Sequence, residues 1–167
     1  MNNNELPTRL VKACDSEKNA LKNMFQLYLH DLSAYTTNLN INADGIFENN
    51  DIDTYYEKDT LIPMVIQHNN MISGFILLNT PPYASQGYNY YINDFFVLRK
   101  FRGKGVGNTA AEELFRAYPG KYAMVQLIKN DVAINFWKRV LNENGFEFEE
   151  KEVIIDGDAC IFHGLLV

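Results

Sequence analysis

The 167-residue chain has few cysteines, prolines and tryptophans, with two, five and one of each. Cys14 and Cys160 cannot build a disulfide framework, and no Cys/His cluster has the spacing of a zinc site, so both are expected to be reduced thiols, buried or half-buried. No apolar run reaches the roughly 18 residues that span a bilayer. Residues 1–5 lack the apolar core of a signal peptide. These absences predict a cytoplasmic protein without a membrane partner.

Positive charge is also scarce, because 15 lysines and arginines face 21 aspartates and glutamates, for a net charge of -6. Nucleic acid is therefore not an expected partner, since phosphate binding needs a basic face. Acidity suits a cationic amine as a partner, although only weakly. Hydrophobic residues make up 47% of the chain and charged residues 22%. This balance predicts one folded domain over residues 1–167.

Turn signals and apolar periodicity divide the chain into alternating strands and helices. Strands are predicted over residues 8–13, 61–67, 71–78, 88–98, 122–128, 146–155 and 159–166. Helices are predicted from residue 15 or 16, within the mixed segment 30–56, over 103–118 and over 131–142. Asn69-Asn70 and Asp156-Gly157 are hairpin turns. The order predicts an α/β (α+β) fold in which a mixed, mostly antiparallel central sheet of about seven strands carries helices on both faces.

The sharpest local feature is a glycine-rich loop between the strand over 88–98 and the helix that follows. Glycines let the backbone approach a ligand, and the N–H groups at a helix N-terminus favour a phosphate. The arginine and the lysine add positive charge, so the loop is suited to an anion such as pyrophosphate. The loop consists of Arg102, Gly103, Lys104, Gly105, Val106 and Gly107.

A glycine-rich turn that only caps a helix is the structural alternative. A P-loop needs Gly-Lys-Ser/Thr, whereas Val106 follows Gly105 here. A dinucleotide fingerprint needs a different glycine spacing and an acidic residue after the next strand. Neither nucleotide motif fits.

The pattern Arg-x-x-Gly-x-Gly resembles the pyrophosphate loop of the GNAT acetyltransferases, and residues 95–115 resemble their central motif. Residues 130–137 read Asn-Asp-Val-Ala-Ile-Asn-Phe-Trp, which resembles that family's Asn-x-x-Ala-x-x-Phe/Leu-Tyr helix. Gly145-Phe146 resembles the Gly-Phe at its next strand. The resemblance covers residues 61–148, and before that it rests on element order alone.

The resemblance implies an N-acetyltransferase that uses acetyl-CoA as co-substrate. The backbone of Phe95, Phe96 and Val97 then binds the pantetheine arm, and an N–H there polarises the thioester carbonyl. The loop from Arg102 to Gly107 cradles the pyrophosphate. Asn130 matches the asparagine that contacts the coenzyme arm.

Trp137 departs from the family pattern, which often has a tyrosine that protonates the leaving thiolate. An indole N–H cannot supply that proton. Either another group serves, such as a tyrosine, or the thiolate leaves unassisted, as a thiol pKa near 8.5 allows. Trp137 is then a packing residue or one wall of the cofactor cleft.

The sequence says less about the general base, the group that takes the proton from the amine. Asp94 is the carboxylate on the strand before the loop, but strand alternation can point it away from the cleft, which would make it structural. We expect a water molecule to take the proton, so Asp94→Asn should have a small effect. The acceptor is a small-molecule or protein amine, and a homodimer is an open possibility. The alternative function is a non-catalytic module that binds acyl-CoA for sensing or scaffolding.

Overall fold

The structure is a computed structural model that describes residues 8–48 and 52–167. The predicted polar start at residues 1–5, and part of the mixed segment 30–56, lie outside the described residues. Within them, seven strands form one sheet in the order β1-β2-β3-β4-β5-β7-β6. The strands are β1 (Arg9–Lys12), β2 (Leu61–His68), β3 (Met71–Asn79), β4 (Tyr90–Val97), β5 (Lys121–Leu127), β6 (Phe148–Ile155) and β7 (Asp158–Leu166). The helices are α1 (Lys18–Leu32), α2 (Ile52–Glu57), α3 (Val106–Ala117) and α4 (Asp131–Glu143).

The predicted fold class and mostly antiparallel sheet are confirmed, and two local expectations are corrected. The helix predicted from residue 103 begins at Val106, because Gly103 and Gly105 have positive φ values of 71° and 78° and form a turn before it. Positive φ is a backbone conformation that glycine adopts without steric cost. Of the two free cysteines, Cys160 is buried as expected, but Cys14 is exposed.

Each face of the sheet carries its own apolar core. On one face, α3 and α4 pack Val106, Leu114 and Leu141 against alternate residues of the strands. On the other face, α1 and α2 pack Leu21, Ile52 and their neighbours against the remaining residues of β2 and β3. Because strand side chains alternate, both faces of the sheet are buried over strands β1–β4.

The sheet is continuous by hydrogen bonding but splayed near its centre. β4 and β5 are its parallel pair, and they are paired over three positions, from Tyr90↔Tyr122 to Ile92↔Met124. β5 continues in antiparallel pairing with β7 as far as Leu127, and β4 continues in antiparallel pairing with β3 as far as Val97. The two strands therefore diverge into a gap, which opens toward the start of α3.

None of the described helices combines the length and apolarity needed to cross a membrane.

Candidate active site

The backbone of β4 faces the gap at alternate residues. The Leu98 N–H donates a hydrogen bond of 2.8 Å to the Ser73 carbonyl on the β3 side. In an antiparallel pair the bonded edge alternates along the strand, so Phe96 also turns its N–H and C=O toward β3. By the same alternation, the backbone groups of Phe95 and Val97 point into the gap. Of the three residues predicted to bind pantetheine by their backbone, Phe95 and Val97 thus turn toward the gap, whereas Phe96 turns toward β3.

A β-bulge at Asn93 changes the direction of Asp94. In the register of β3 and β4, Leu77 pairs with Asp94 and Leu78 with Ile92, which leaves Asn93 as the extra residue. A bulge breaks the strict alternation of side chains along a strand. Asn93 and Asp94 consequently lie together on the α1/α2 face, where the Asn93 amide donates to the Asp94 carboxylate at 2.6 Å.

These two residues belong to a polar cluster on that face. The Tyr55 hydroxyl donates to the Asn79 side chain at 2.5 Å, and the Asn79 amide lies 3.5 Å from the Asn93 side-chain oxygen. Tyr28, from α1, hydrogen-bonds Asp94. Burial, together with the charge and hydrogen bond of Asp94, raises the pKa of Tyr28 well above its usual range. The cluster thus holds a carboxylate between α1 and the bulged strand.

The glycine loop leads directly into α3, whose N-cap is Gly105. A Cβ placed on Gly103 or Gly105 would meet no heavy atom within 4 Å, so open space lies beside both residues. The first N–H groups of a helix have no partners within it and carry partial positive charge. Lys104 is exposed beside them, whereas the Val106 side chain is buried in the core. The loop therefore leaves open space beside the first N–H groups of α3, and its binding of a phosphate stays a prediction.

The sequence suggested that Arg102 is a free cation in this loop. In the structure, however, its guanidinium is bonded to other groups of the protein. Its Nε donates to the Val97 carbonyl at 2.7 Å, and its guanidinium donates to the Asp31 carboxylate at 2.7 Å. Partial burial opposes the ionisation of Asp31, but the hydrogen bonds from Arg102 and Arg99 outweigh it and lower the pKa of Asp31. The arginine therefore ties the loop to the end of α1 and uses much of its charge there.

Gly107 has a packing role rather than the open space of the other two glycines. A Cβ on Gly107 would lie 3.0 Å from the Phe136 ring and 3.7 Å from the Phe95 ring. The third glycine of the motif thus lets α3 approach α4 closely. Its backbone N–H belongs to the first turn of α3, so the predicted contact of Gly107 with phosphate stays a prediction.

The two α4 residues predicted to bind the coenzyme differ in position, with Asn130 just after β5 and Trp137 packed against β4. Asn130 is the N-cap of α4, and its side-chain oxygen accepts from the Ala133 N–H at 3.2 Å. Trp137 is only 4% exposed, and its ring contacts Phe95 edge-on at a centroid distance of 5.0 Å. Trp137 therefore packs behind β4, as expected for a packing or wall residue.

Sequence reasoning missed Asp31 and Asn79, which hold the loop and the polar cluster in place. Asp31 lies 71 positions before Arg102, and Asn79 lies 14 before Asn93. An aspartate near the end of an amphipathic helix and an asparagine at the end of a strand both look like ordinary surface residues. No local signal distinguishes them.

Comparison with known proteins agrees with this geometry. The sequence profile of the acetyltransferase (GNAT) family matches residues 22–142, which is more than half of the chain. The chain therefore belongs to the GNAT acetyltransferase family. The sequence predicted a GNAT family member, an acyltransferase and acetyl-CoA as co-substrate. All three predictions are confirmed at the level of that family.

Solved structures share the fold at low sequence identity. An acetyltransferase from Thermus thermophilus is 14% identical with a TM-score of 0.67, over 97% of this chain and 98% of its own. A GNAT family acetyltransferase from Elizabethkingia anophelis, with acetyl-CoA bound, is 12% identical with a TM-score of 0.58, over 96% and 98%. Arabidopsis thaliana Naa50, in complex with a bisubstrate analogue, is 18% identical with a TM-score of 0.58, over 94% and 97%. No curated protein matches the sequence.

Proposed function

We propose that the protein transfers an acetyl group from acetyl-CoA to an amine by direct attack in a ternary complex. The observation that carries this proposal is the gap between β4 and β5, with a glycine loop and a helix N-terminus at its open end. The gap offers backbone groups to an extended chain, and the loop offers N–H groups to a pyrophosphate. The Asp94 carboxylate lies beside the gap on the α1/α2 face of the sheet, opposite the face on which α3 packs.

The coenzyme is assigned to the gap and the loop. Phe95 supplies backbone hydrogen bonds to the pantetheine arm, and Val97 supplies its N–H, because the Val97 carbonyl already accepts from Arg102. Gly103 to Gly105 and the first turn of α3 receive the pyrophosphate, where Lys104 adds positive charge. Asn130 lies at the edge of the gap, and its amide group is assigned to the coenzyme arm. Trp137 supports the Phe95 side of the cleft from behind.

The acceptor nitrogen attacks the thioester carbonyl carbon from the α1/α2 face. As the C–N bond forms, negative charge develops on the carbonyl oxygen, and a preorganised N–H donor stabilises it. The Phe95 N–H is assigned to this role because its backbone faces the gap. Collapse of the tetrahedral intermediate breaks the C–S bond and releases the coenzyme as thiolate. Holding both substrates in one cleft contributes several kcal/mol to the rate.

Asp94 is the group assigned to the proton of the amine. An ammonium has no lone pair, so it must lose a proton before attack. The bulge at Asn93 turns the Asp94 carboxylate to the α1/α2 face, from which the amine is proposed to attack, and Tyr28 and Asn93 contact it there. A carboxylate at that position attracts the cationic amine and accepts its proton.

The leaving thiolate needs no proton donor in this site. Burial and the nearby Asp94 raise the pKa of Tyr91 to about 12, so its hydroxyl is a weak acid. A free thiol ionises near pH 8.5, and the thiolate is a competent leaving group at neutral pH. The absence of the family's tyrosine at Trp137 is therefore compatible with turnover.

Release of coenzyme thiol in the presence of amines tests the proposal against the non-catalytic alternative. The assay follows free thiol from acetyl-CoA with and without amine, and mass spectrometry identifies the acetylated product. We expect thiol release that depends on both the amine and the protein. A protein that binds acetyl-CoA, as a rise in melting temperature reports, but acetylates no amine in a broad panel would be a binding module instead.

A further inference from the structure

A groove of about 360 Å³ adjoins the gap on the α1/α2 face of the sheet. Its floor is apolar, because Val125 of β5, Phe162 of β7, and Val153 and Ile155 of β6 all present their side chains to this face. Tyr91 of β4 forms the wall nearest the gap. The groove is therefore a sheet-lined pocket next to the position assigned to the reacting carbonyl.

The two ends of the groove differ in charge. At the gap end, Tyr91 lies close enough to Asp94 that the carboxylate, after burial, raises the pKa of its hydroxyl. At the far end, the Lys151 ammonium lies 4.6 Å from the centroid of the Phe162 ring and 3.9 Å from a carboxylate oxygen of Glu149, so this end carries paired charges. A ligand with one positive charge at the Asp94 end fits this distribution. A second positive charge, farther along the ligand, would have to lie over the apolar floor, where it would lose hydration.

A segment that we call the strap, residues 33–38, bridges the wide end of the gap on this face. Just before it, Asp31 is bonded to Arg99 and Arg102, which follow β4. Within it, the Thr36 hydroxyl donates to the Asp158 carboxylate at 2.5 Å. The Asn38 amide donates to the Asp156 carbonyl at 3.1 Å and to Asp158 at 3.0 Å. The strap thus ties the end of β4 to the β6–β7 turn.

The strap and the groove together limit the acceptor. The strap, bonded to the β6–β7 hairpin, restricts entry of a polypeptide at the wide end of the gap. A small molecule needs only the space above the apolar floor. Burying a phenyl-sized group on that floor is favourable in proportion to its apolar area.

We infer that the acceptor is a small amine with one positive charge and an apolar or aromatic group, rather than a polyamine or a polypeptide. This inference rests on the proposed acetyl transfer and deepens it. The amine nitrogen would lie toward Asp94, and the apolar group would lie on Val125 and Phe162.

The test compares four acceptors with acetyl-CoA: 2-phenylethylamine, ethanolamine, spermidine and a pentapeptide with a free N-terminus. We expect kcat/KM for 2-phenylethylamine to exceed that of each of the others by about 10- to 100-fold, the range that burial of an aromatic group provides. An equal or higher kcat/KM for ethanolamine, spermidine or the peptide would overturn the inference but leave acetyl transfer standing. No thiol release with any acceptor would overturn both.

Two variants test whether the groove holds the apolar group. Val125→Thr keeps the side-chain volume but adds a hydroxyl to the floor, so kcat/KM for 2-phenylethylamine should fall about 3- to 10-fold while that for ethanolamine is unchanged. Val132→Thr makes the same change on α4, where Val132 is 72% exposed, and should alter neither. Equal losses for both amines in Val125→Thr, or no loss for 2-phenylethylamine, would show that the apolar group binds elsewhere.

Discussion

The guanidinium of Arg102 is bonded to the carboxylate of Asp31, at 2.7 Å, which joins the glycine loop to the end of α1. The same guanidinium lies over the Phe96 ring, 5.4 Å from its centroid. An arginine whose position in the motif suggested phosphate binding thus positions the loop. The loop geometry depends on a helix that precedes it by about 70 residues.

Asp31→Asn tests this link through stability. Because the pKa of folded Asp31 is lowered, its stabilisation is present above the unfolded pKa near 3.9 and is lost as pH falls through the folded pKa. At pH 7 the free energy of unfolding of the variant should be about 1 kcal/mol lower than that of the wild type. The difference is small because Arg102 is partly exposed. Below about pH 3 the difference from wild type should shrink. Urea midpoints at both pH values measure this.

Glu152→Gln removes one negative charge from an exposed position on β6 and is the matched control. It should change the free energy of unfolding by no more than about 0.5 kcal/mol. A loss for Asp31→Asn that is the same size at both pH values would mean that packing, rather than the ion pair, is responsible.

Gly105→Asp should weaken binding of acetyl-CoA at least about tenfold, or ~1.4 kcal/mol. The substitution places a negative charge at the N-terminus of α3, in the open space assigned to the pyrophosphate. Calorimetric titration with acetyl-CoA gives the dissociation constant.

Gly145→Asp controls for backbone strain, because Gly145 has φ 71°, close to the 78° of Gly105, and equally open surroundings. It follows α4 and does not belong to the loop, so the variant should bind acetyl-CoA like the wild type. Wild-type affinity in Gly105→Asp would show that the loop assignment is wrong.

Trp137→Phe should reduce stability more than turnover. The ring is 4% exposed and packs against Phe95 and Phe115, so the smaller ring should cost about 1–2 kcal/mol of unfolding free energy. Turnover should stay within about threefold, since no proton is assigned to the indole. Phe115→Leu, a core change on α3, provides a comparison of similar stability loss. A fall of two orders of magnitude in kcat, with the fold intact, would contradict a packing role.

The element order could be predicted because each boundary has a local cause. Turn dipeptides such as Asp156-Gly157 and the spacing of apolar residues specify where strands and helices begin and end. The loop could be predicted because glycine spacing is a local pattern. The bulge at Asn93 could not, since it arises from the register between β3 and β4. The bonds from Thr36 to Asp158 cross 122 positions and likewise leave no local pattern.

Asp94→Asn is the sharpest test of the mechanism. The sequence alone favoured water as the proton acceptor and a small effect. The bulge changes this expectation, because it directs the carboxylate to the acceptor face beside Tyr28. We now expect kcat to fall by about two to four orders of magnitude, as is typical when a general base is lost, with little change in melting temperature.

The pH dependence of turnover distinguishes the role of Asp94 from that of the tyrosines around it. Wild-type turnover should rise with pH as more of the amine loses its proton. Tyr28 and Tyr91 do not cause that rise below pH 10, because burial and Asp94 raise both pKa values, that of Tyr91 to about 12. High pH should partly restore Asp94→Asn by supplying neutral amine, whereas Tyr28→Phe should keep the wild-type profile with a smaller loss. If Asp94→Asn keeps wild-type turnover across this range, the proton leaves through water, and Asp94 only shapes the site.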